Sequence, residues 1–319
     1  MDKDISGFQI LKTPFRDGGL PIPGSWPARK KDEIGTAPSH AGAPGMEPAG
    51  DPANTGKMPV LFIGHGSPMN MVLSNSYTKS LDDLGPTLPK PRAVMVISAH
   101  WLTHGTFVGC MEKPRIVYDF YGFPQELYQV KYDCQGAPGT AKRVTGLDGA
   151  MGLVHCDETW GLDHASYSVL RHLFPAADIP VFEMSLDYSF NDWHPKQVGY
   201  YYKLGRRLRP LRDEGILIIG SGNMVHNLDL VNFADMNAHP YDWAVEADEA
   251  MRSRLLAGDH RDLVDYRSMG EAASLAVPSL DHYLPMIYAI ALQEEGEDLR
   301  FVHEGFQNGS VSMRSFRIG

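Results

Sequence analysis

The sequence predicts a single three-layer α/β/α domain around a mixed, largely parallel central sheet. Apolar runs of strand length, such as 59–63 and 93–97, alternate along the chain with segments of helical length. This alternation is typical of parallel sheets that are covered by helices on both faces. Near the end of the chain, two strand-like segments, 301–303 and 311–318, flank a Gln-Asn-Gly-Ser stretch, which predicts an antiparallel pair and makes the sheet mixed.

Two regions of different composition divide the chain. Residues 1–57 are dominated in their second half by Gly, Pro, Ala and Ser, and their hydrophobic periodicity is weak, which predicts a flexible N-terminal extension. Residues 58–319 carry the alternation of strands and helices, and we expect them to form one folded domain. The chain has 319 residues, 43% of them hydrophobic, which is enough for one large core.

The elements between the first strand and the final pair follow from local pattern. Helices are predicted where apolar positions recur at helical spacing, and strands where apolar residues run together. In chain order they are a helix over 72–84, strands at 93–97 and 106–111, a helix over 160–173, a strand at 179–185, a helix over 194–212, a strand at 215–220, and helices over 244–256 and 279–292. We expect His282 in the first turn of the last helix, with Pro285 just inside it, where proline is tolerated.

Charge and cysteine content exclude several classes of protein. The net charge is −10, and no basic stripe is present, so we expect no nucleic-acid partner. No apolar run approaches the ~20 residues of a membrane-spanning helix, so we expect no membrane partner. The sequence Met1-Asp2-Lys3-Asp4 lacks the basic-then-apolar order of a secretory signal. Cys110, Cys134 and Cys156 are widely spaced and are expected to form no disulfide framework, which predicts the reducing cytoplasm.

Histidines follow three of the predicted strands. His65 lies in Gly-His-Gly directly after the first strand, His100 ends the second, and His226 follows the strand at 215–220. In open α/β sheets ligands bind at the carboxyl ends of the strands, and imidazole is a ligand that suits zinc, iron and copper. A single histidine of this kind more often caps a strand. Together, and with His282 at a helix start, these histidines predict a metal site.

Other motifs of known chemistry are missing from the sequence. It contains no HExxH or CxxC zinc spacing, no G-x-S-x-G nucleophile elbow and no phosphate-binding glycine loop. His164 stands at a predicted helix start, where a neutral imidazole could donate a hydrogen bond to an anionic substrate or simply cap the helix. The aromatic stretch 118–124 predicts either a flat apolar pocket wall or a packed surface loop.

A family resemblance rests on six short motifs that occur in one order. They are GHGSPMN (64–70), SAHW (98–101), YDFYGFP (118–124), WGLDH (160–164), SGNMVHN (221–227) and DHYLP (281–285). With these motifs the chain resembles the 4,5-DOPA extradiol dioxygenase family, which belongs to the LigB-type, class III extradiol ring-cleaving dioxygenases. The similarity spans 58–319 and leaves the N-terminal extension outside it.

The resemblance implies that residues 58–319 form a catalytic domain with a LigB-like fold, and it implies a reaction. The reaction is cleavage of the aromatic ring of a catechol, DOPA-like, by O2 to a muconic semialdehyde, with Fe(II) as the metal for activity and Zn(II) able to occupy the same site. His65, His100 and His282 match the metal ligands. His226 matches the acid–base histidine and is a candidate fourth ligand when zinc is bound. His164 matches a catalytic histidine beside the substrate.

For such a substrate we expect the aromatic stretch to line the ring pocket through Tyr121 and Phe123, with Asp119 as a polar contact. The expected partners are a small-molecule catechol and O2, while the natural catechol, the native metal and the oligomeric state stay open. Two alternatives use the same ligands: a zinc-dependent hydrolase, with a metal-bound water as nucleophile, and a non-catalytic metal-bound LigB-like binding protein. The presence of His226 and His164 favours an enzyme, because a non-catalytic scaffold needs neither.

Overall fold

The computed structural model describes residues 56–147, 153–189 and 194–319. Residues 1–55, which make up nearly all of the predicted N-terminal extension, lie outside the described residues. Within the described ranges the chain forms an eight-stranded mixed sheet with a hydrophobic core on each face. The predicted three-layer architecture is confirmed.

The strands of the structure are, in chain order, β1 (Val60–Gly64), β2 (Ala93–Thr103), β3 (Thr106–Gly109), β4 (Val154–Asp157), β5 (Val181–Asp187), β6 (Ile216–Gly222), β7 (Leu299–His303), β8 (Phe306–Gln307), β9 (Val311–Ser312) and β10 (Ser315–Ile318). The order across the sheet is β4-β3-β5-β2-β6-β1-β10-β7, and β8 and β9 form a small separate pair. The central strands β5, β2, β6 and β1 are parallel neighbours, whereas β10 runs antiparallel to both β1 and β7. The carboxyl ends of the four central strands therefore share one edge.

The helices are α1 (Ser76–Leu84), α2 (Pro138–Thr145), α3 (His164–Leu173), α4 (Pro195–Arg207), α5 (Pro210–Asp213), α6 (Asp242–Ala257), α7 (His260–Val264), α8 (Glu271–Ala276) and α9 (Leu284–Ala291). Helix α3 begins where the Asp163 side chain accepts a hydrogen bond from Ala165 N. Helix α6 ends at Gly258, whose φ of 67° is the left-handed conformation that favours glycine, as the sequence predicts.

The side chains of β1 show how the layers are built. Successive residues of a strand point to opposite faces. Val60 and Phe62 belong to the core that α4, α6 and α9 cover, whereas Leu61 and Ile63 belong to the core that α1 and α3 cover. All five residues of β1 are buried, as expected for a strand covered on both faces. Burial on both faces holds β1 in place in the sheet, and this places His65, the residue that follows it.

Several predicted boundaries differ from the structure, and three of them concern the histidines or a helix break. The helix predicted over 194–212 ends at Arg207 and restarts as α5, because Pro210 lacks the N–H that would continue it. His282 is not in the first turn of α9, which begins at Leu284; it lies in the preceding turn. Strand β2 continues past His100 to Thr103, so this histidine lies within the strand.

The expectation that the cysteines form no disulfide is wrong. Cys110 and Cys156 are bonded, and Cys134 is free and buried. The pair meets because β3 and β4 are parallel neighbours, which brings residues about 46 positions apart into contact at one sheet edge. The sequence argument from cysteines to a reducing compartment therefore fails.

Across the described ranges, none of the helices combines the length and the apolar character that crossing a bilayer requires.

Candidate metal centre and active site

Five histidines come together at the shared carboxyl edge of the central strands. His65 follows β1, His226 follows β6, and His100 lies in the distal part of β2. His164 is the first residue of α3, and His282 lies in the turn before α9. Histidines from five different segments of the chain therefore meet at the edge where the sequence predicts a metal site.

Local irregularities of the backbone position two of these side chains. The pairing register between β2 and β5 shifts between Ile97 and Leu102, so the segment of β2 that carries His100 is irregularly paired with β5. His282 is held by its own backbone, because its carbonyl oxygen accepts a hydrogen bond of 2.9 Å from Asn223 N. A Cβ atom on Gly222 would lie 2.2 Å from the same oxygen, so this close approach requires glycine.

Three of the rings form a nearly equilateral triangle. Ring centres are 5.1 Å apart for His65 and His100, 5.3 Å for His65 and His282, and 4.9 Å for His100 and His282. Imidazoles that bind one ion at ~2.0–2.1 Å through nitrogen place their ring centres roughly 4.5–5.3 Å apart. The Nε2 atoms of His65 and His100 are 3.2 Å apart, which also suits two ligands of one ion. The donor set therefore fits a metal.

Hydrogen bonds of the rings assign which nitrogen carries the proton. The Ser221 hydroxyl donates to Ala165 O at 2.7 Å, so it accepts from Nδ1–H of His65 at 3.0 Å. The buried Asp281 carboxylate accepts from Nδ1–H of His282 at 2.8 Å. Both assignments leave Nε2 as the nitrogen with a free lone pair, which is what a metal ligand requires.

Burial sets the charge of this cluster. Burial lowers the pKa of His65 and His100 well below the ordinary value, and the neighbouring histidines lower both further. The pKa of His226 is also lowered well below the ordinary value, by burial first and then by His282. These three imidazoles are therefore neutral near pH 7, the state in which imidazole binds metals and accepts protons.

His164 is also close to the triangle but is held differently. One ligand atom from each of His65, His100 and His164 can be chosen so that all lie within 4.8 Å of one another. However, Asp119 binds His164 twice, accepting from Nδ1 at 2.6 Å and from the backbone N at 2.9 Å. Burial lowers the pKa of His164, but Asp119 outweighs it and the net pKa is raised. His164 therefore carries a proton more readily than His65, His100 or His226.

His226 lies against the face of one ring of the triangle. Its ring stacks on that of His282, with centres 3.6 Å apart and planes 9° from parallel. Its backbone N donates to Ala276 O at 2.9 Å, and a bridge joins it to Val311. The His226 ring forms no hydrogen bond with any residue that the structure describes, so its nitrogens are free for a ligand or substrate.

The aromatic loop packs beside the histidines. Phe120 meets His164 edge to face with ring centres 5.7 Å apart, and Phe123 packs on Phe120 at 5.5 Å. Tyr121 is 43% exposed. Asp119 lies inside the cluster, where its Oδ2 is also 3.3 Å from Nδ1 of His100. The loop thus supplies an apolar wall through Phe120 and, through Asp119, a carboxylate that accepts from His164 and lies close to His100.

Several residues of the site were not singled out from the sequence. Asp281 directly precedes His282 and could have been found as a carboxylate next to a proposed ligand. Glu183 is an acidic residue within the apolar run of β5 and is fully buried. It accepts from Trp160 Nε1 at 3.1 Å and from Asp163 N at 2.8 Å, and so holds the segment that leads into His164. Burial, and then Asp163, raises the pKa of Glu183.

The chain is similar to known proteins over most of its length. Residues 59–314 match the family described as the catalytic LigB subunit of aromatic ring-opening dioxygenase. A relative from Escherichia coli (strain K12), named 4,5-DOPA dioxygenase extradiol, is 41% identical over 266 residues, which cover 82% of this chain and 95% of the relative. A protein of the same name from Beta vulgaris is 33% identical over 262 residues, covering 81% of this chain and 95% of its own length.

A solved structure supports the same relationship. The crystal structure of an uncharacterised protein from Escherichia coli K12 matches with a TM-score of 0.70 at 38% sequence identity, covering 82% of this chain and 100% of that chain. The histidine triangle, the sheet edge that carries it and these matches agree. The chain belongs to the LigB family of aromatic ring-opening dioxygenases, which are metal-dependent enzymes that act on a small molecule and O2.

Proposed function

We propose that the protein is a non-haem, Fe(II)-dependent extradiol dioxygenase that cleaves the ring of a DOPA-like catechol with O2, giving a muconic semialdehyde. The observation that carries the proposal is the triangle of His65, His100 and His282, with His226 stacked on one of its rings. The choice of a DOPA-like catechol is supported by the names of the Escherichia coli and Beta vulgaris relatives.

The proposed ligands are His65, His100 and His282, through their Nε2 atoms. Bound Fe(II) would acidify the catechol hydroxyls and supply the redox chemistry for O2, which Zn(II) in the same site cannot do. Three nitrogen ligands leave positions for a bidentate catechol and for O2. Since His226 stacks on His282, it would have to leave that stack to become the fourth ligand proposed for the zinc form.

His226 is proposed as the acid–base residue. Its ring is neutral near pH 7 and forms no hydrogen bond with the described residues, so a nitrogen is free to accept a proton from a catechol hydroxyl. The same nitrogen can return that proton later in the reaction. The backbone contacts to Ala276 and Val311 hold the ring beside His282, next to the proposed ligands.

His164 is proposed as the second catalytic histidine. Asp119 accepts its Nδ1–H and favours its protonated form, so Nε2–H can donate a hydrogen bond to an anionic substrate oxygen. Asp119 itself is proposed to act on the substrate through His164 and His100, since both of its oxygens already face them.

The aromatic loop is proposed as the wall of the ring pocket. Phe120 packs on His164, and Phe123 extends that surface outwards. Tyr121, which is largely exposed, is proposed to contact the part of the catechol furthest from the metal. These residues would select a flat aromatic substrate.

We also propose the cytoplasm as the location, because a reducing compartment keeps iron in the ferrous state. The Cys110–Cys156 disulfide is the observation that weighs against it. Fractionation of the producing cells, with the protein followed by antibody, tests this proposal.

The test of the proposed function is anaerobic loading of metal-free protein with Fe(II) or Zn(II), followed by L-DOPA or caffeate in air. We expect oxygen uptake of one O2 per catechol and a yellow product with Fe(II) only. Fe(II) in buffer without protein controls for free-iron oxidation. Absence of uptake with both metals, across several catechols, would contradict the proposal and favour the zinc hydrolase or the binding protein.

A further inference from the structure

A buried carboxylate lies next to one of the proposed ligands and has no role in the function proposed above. Asp281 is 3% exposed, and its Oδ2 accepts a hydrogen bond of 2.8 Å from Nδ1 of His282. We propose that Asp281 is a positioning residue whose negative charge, acting through this hydrogen bond, strengthens His282 as a metal ligand. The inference rests on the proposed function, because it takes His282 as a ligand.

The hydrogen-bond acceptors of His65 and His282 differ in charge, while the third ring, that of His100, has the Asp119 carboxylate 3.3 Å from its Nδ1. Nδ1 of His65 donates to the neutral hydroxyl of Ser221, whereas Nδ1 of His282 donates to a carboxylate. A hydrogen bond to an ionised acceptor is roughly twice as strong as one between neutral groups. It also pushes electron density onto the opposite ring nitrogen, which makes Nε2 a more basic ligand. Of His65 and His282, His282 is therefore expected to donate more electron density to a metal through Nε2.

The position of His282 does not depend on the carboxylate. Its carbonyl oxygen is held by Asn223 N, and the turn that contains it is closed by hydrogen bonds of Tyr283 N and Leu284 N to Leu280 O. Gly222 packs directly against the same carbonyl. An Asp281→Asn substitution therefore removes the charge while the backbone keeps the ring in place, and the amide oxygen can still accept from Nδ1–H.

The charge of Asp281 would partly offset the charge of a bound divalent ion. Three neutral imidazoles leave both positive charges of a divalent ion uncompensated at the ligands themselves. Asp281 places a negative charge one ring away from the ion, behind His282, without occupying a ligand position. The site would thus keep its open positions while it holds a divalent cation more tightly than three neutral donors alone.

The experiment measures Zn(II) affinity of the full-length protein by competition with a chromophoric chelator. We expect Asp281→Asn to raise the Zn(II) dissociation constant by about 10–100-fold. The matched control is Asp82→Asn, because Asp82 also accepts from a histidine Nδ1, that of His172, at 2.8 Å but on the surface. The control should bind Zn(II) like the wild type. An Asp281→Asn affinity within twofold of the wild type would overturn the inference.

A third variant separates this inference from the proposed function. If His282→Ala weakens Zn(II) binding while Asp281→Asn does not, the ligand assignment stands and only the inference fails. If His282→Ala binds Zn(II) like the wild type, the ligand assignment fails and the inference with it.

A measurement on the wild type covers the case in which Asp281→Asn does not fold. In the Zn(II)-loaded protein, nitrogen–proton correlation NMR of the histidine side chains reports tautomers and hydrogen-bond strength. We expect His282 to carry its proton on Nδ1, with a resonance downfield of the Nδ1 proton of His65. A proton on Nε2, or the reverse order of the two resonances, would overturn the inference.

Discussion

The rings of His226 and His282 stack face to face, with centres 3.6 Å apart and planes 9° from parallel. Two imidazoles that bind one ion at roughly right angles cannot be so close and so parallel. In this arrangement only one of the two can be a ligand, and the proposed ligand is His282, which completes the triangle with His65 and His100.

Replacing His226 should remove catalysis and leave the metal. We expect His226→Ala to lower kcat by about 10²–10⁴-fold, the usual contribution of a general acid–base group, with metal content close to that of the wild type. Oxygen uptake and metal analysis on the same Fe(II)-loaded sample measure both. His239→Ala, at an exposed histidine, should change neither. Turnover like that of the wild type in His226→Ala would contradict the assigned role.

The two histidines that compete for the third ligand position should behave differently. His282→Ala should lose the metal, because it removes one corner of the triangle. His164→Ala should keep most of the metal but lose activity, because Asp119 favours the protonated form of His164, which has no lone pair for a metal. Metal content after dialysis against a weak chelator checks both variants. Metal loss in His164→Ala with full retention in His282→Ala would reverse the assignment.

A methyl group on Gly222 should disrupt the centre. Its Cβ would lie 2.2 Å from His282 O and 3.1 Å from His282 C, so the turn that carries the ligand must move. We expect Gly222→Ala to lose metal and to lower the melting temperature. Gly199→Ala is the matched control, because nothing lies within 4 Å of its Cβ and it stands inside α4. That control should be neutral or stabilise by about 0.5–1 kcal/mol.

The disulfide should contribute to stability. It closes a separation of 46 residues, for which loop-closure entropy predicts about 2–4 kcal/mol of stabilisation. We expect the Cys110→Ser/Cys156→Ser double variant to have a free energy of unfolding in urea that is lower by this amount. The difference should disappear when both proteins are measured with reductant. Thiol titration of the unfolded, non-reduced wild type should find one thiol, that of Cys134. Three thiols would contradict the disulfide.

Acid should weaken the Arg212–Glu297 ion pair. Arg212 is 1% exposed, and its Nη1 donates to Glu297 Oε2 at 2.8 Å. Burial raises the pKa of Glu297, but the hydrogen bonds from Arg212 and Glu294 N, and the charge of Arg212, lower it below 4.5 overall. A lowered folded-state pKa means that the stabilisation is present above pH 4.5 and is lost as the pH falls through the folded-state value.

Glu297→Gln should therefore destabilise the protein at pH 7 by about 3 kcal/mol, because it leaves a buried guanidinium without its charge partner. The difference from the wild type should shrink below pH 4.5, as urea unfolding at several pH values would measure. Asp298→Asn removes a carboxylate that is 79% exposed and should change stability by less than about 1 kcal/mol. A difference that stays constant with pH would contradict the ionic role of Glu297.

The parts of the molecule set by local pattern were predictable. The apolar runs of β1 and β6 identify central strands, and the histidines after them identify the functional edge. Gly258 and Pro285 mark helix ends correctly because each acts through its own backbone. The family motifs then suggested roles for His164 and His282, which periodicity alone does not.

Contacts between distant segments were not predictable in this way. Asp119 contacts His164, 45 residues away in the sequence, only because the loop that carries Asp119 packs against the start of α3. Cys110 and Cys156 meet because β3 pairs with β4, and the sequence Val-His-Cys-Asp of β4 has too few apolar residues to indicate a strand. The register shift in β2 that accompanies His100 depends on its neighbour β5 and leaves no signal in β2 itself.

The last strand of the chain has a consequence for biosynthesis. Strand β10 inserts between β1 and β7, and Gly64 N, next to His65, donates to the Ser315 hydroxyl at 3.0 Å. The first proposed ligand is therefore translated long before the strand beside it. A nascent chain that lacks β10 cannot hold a metal in the finished geometry, so we expect the centre to take up its metal only after β10 has been made.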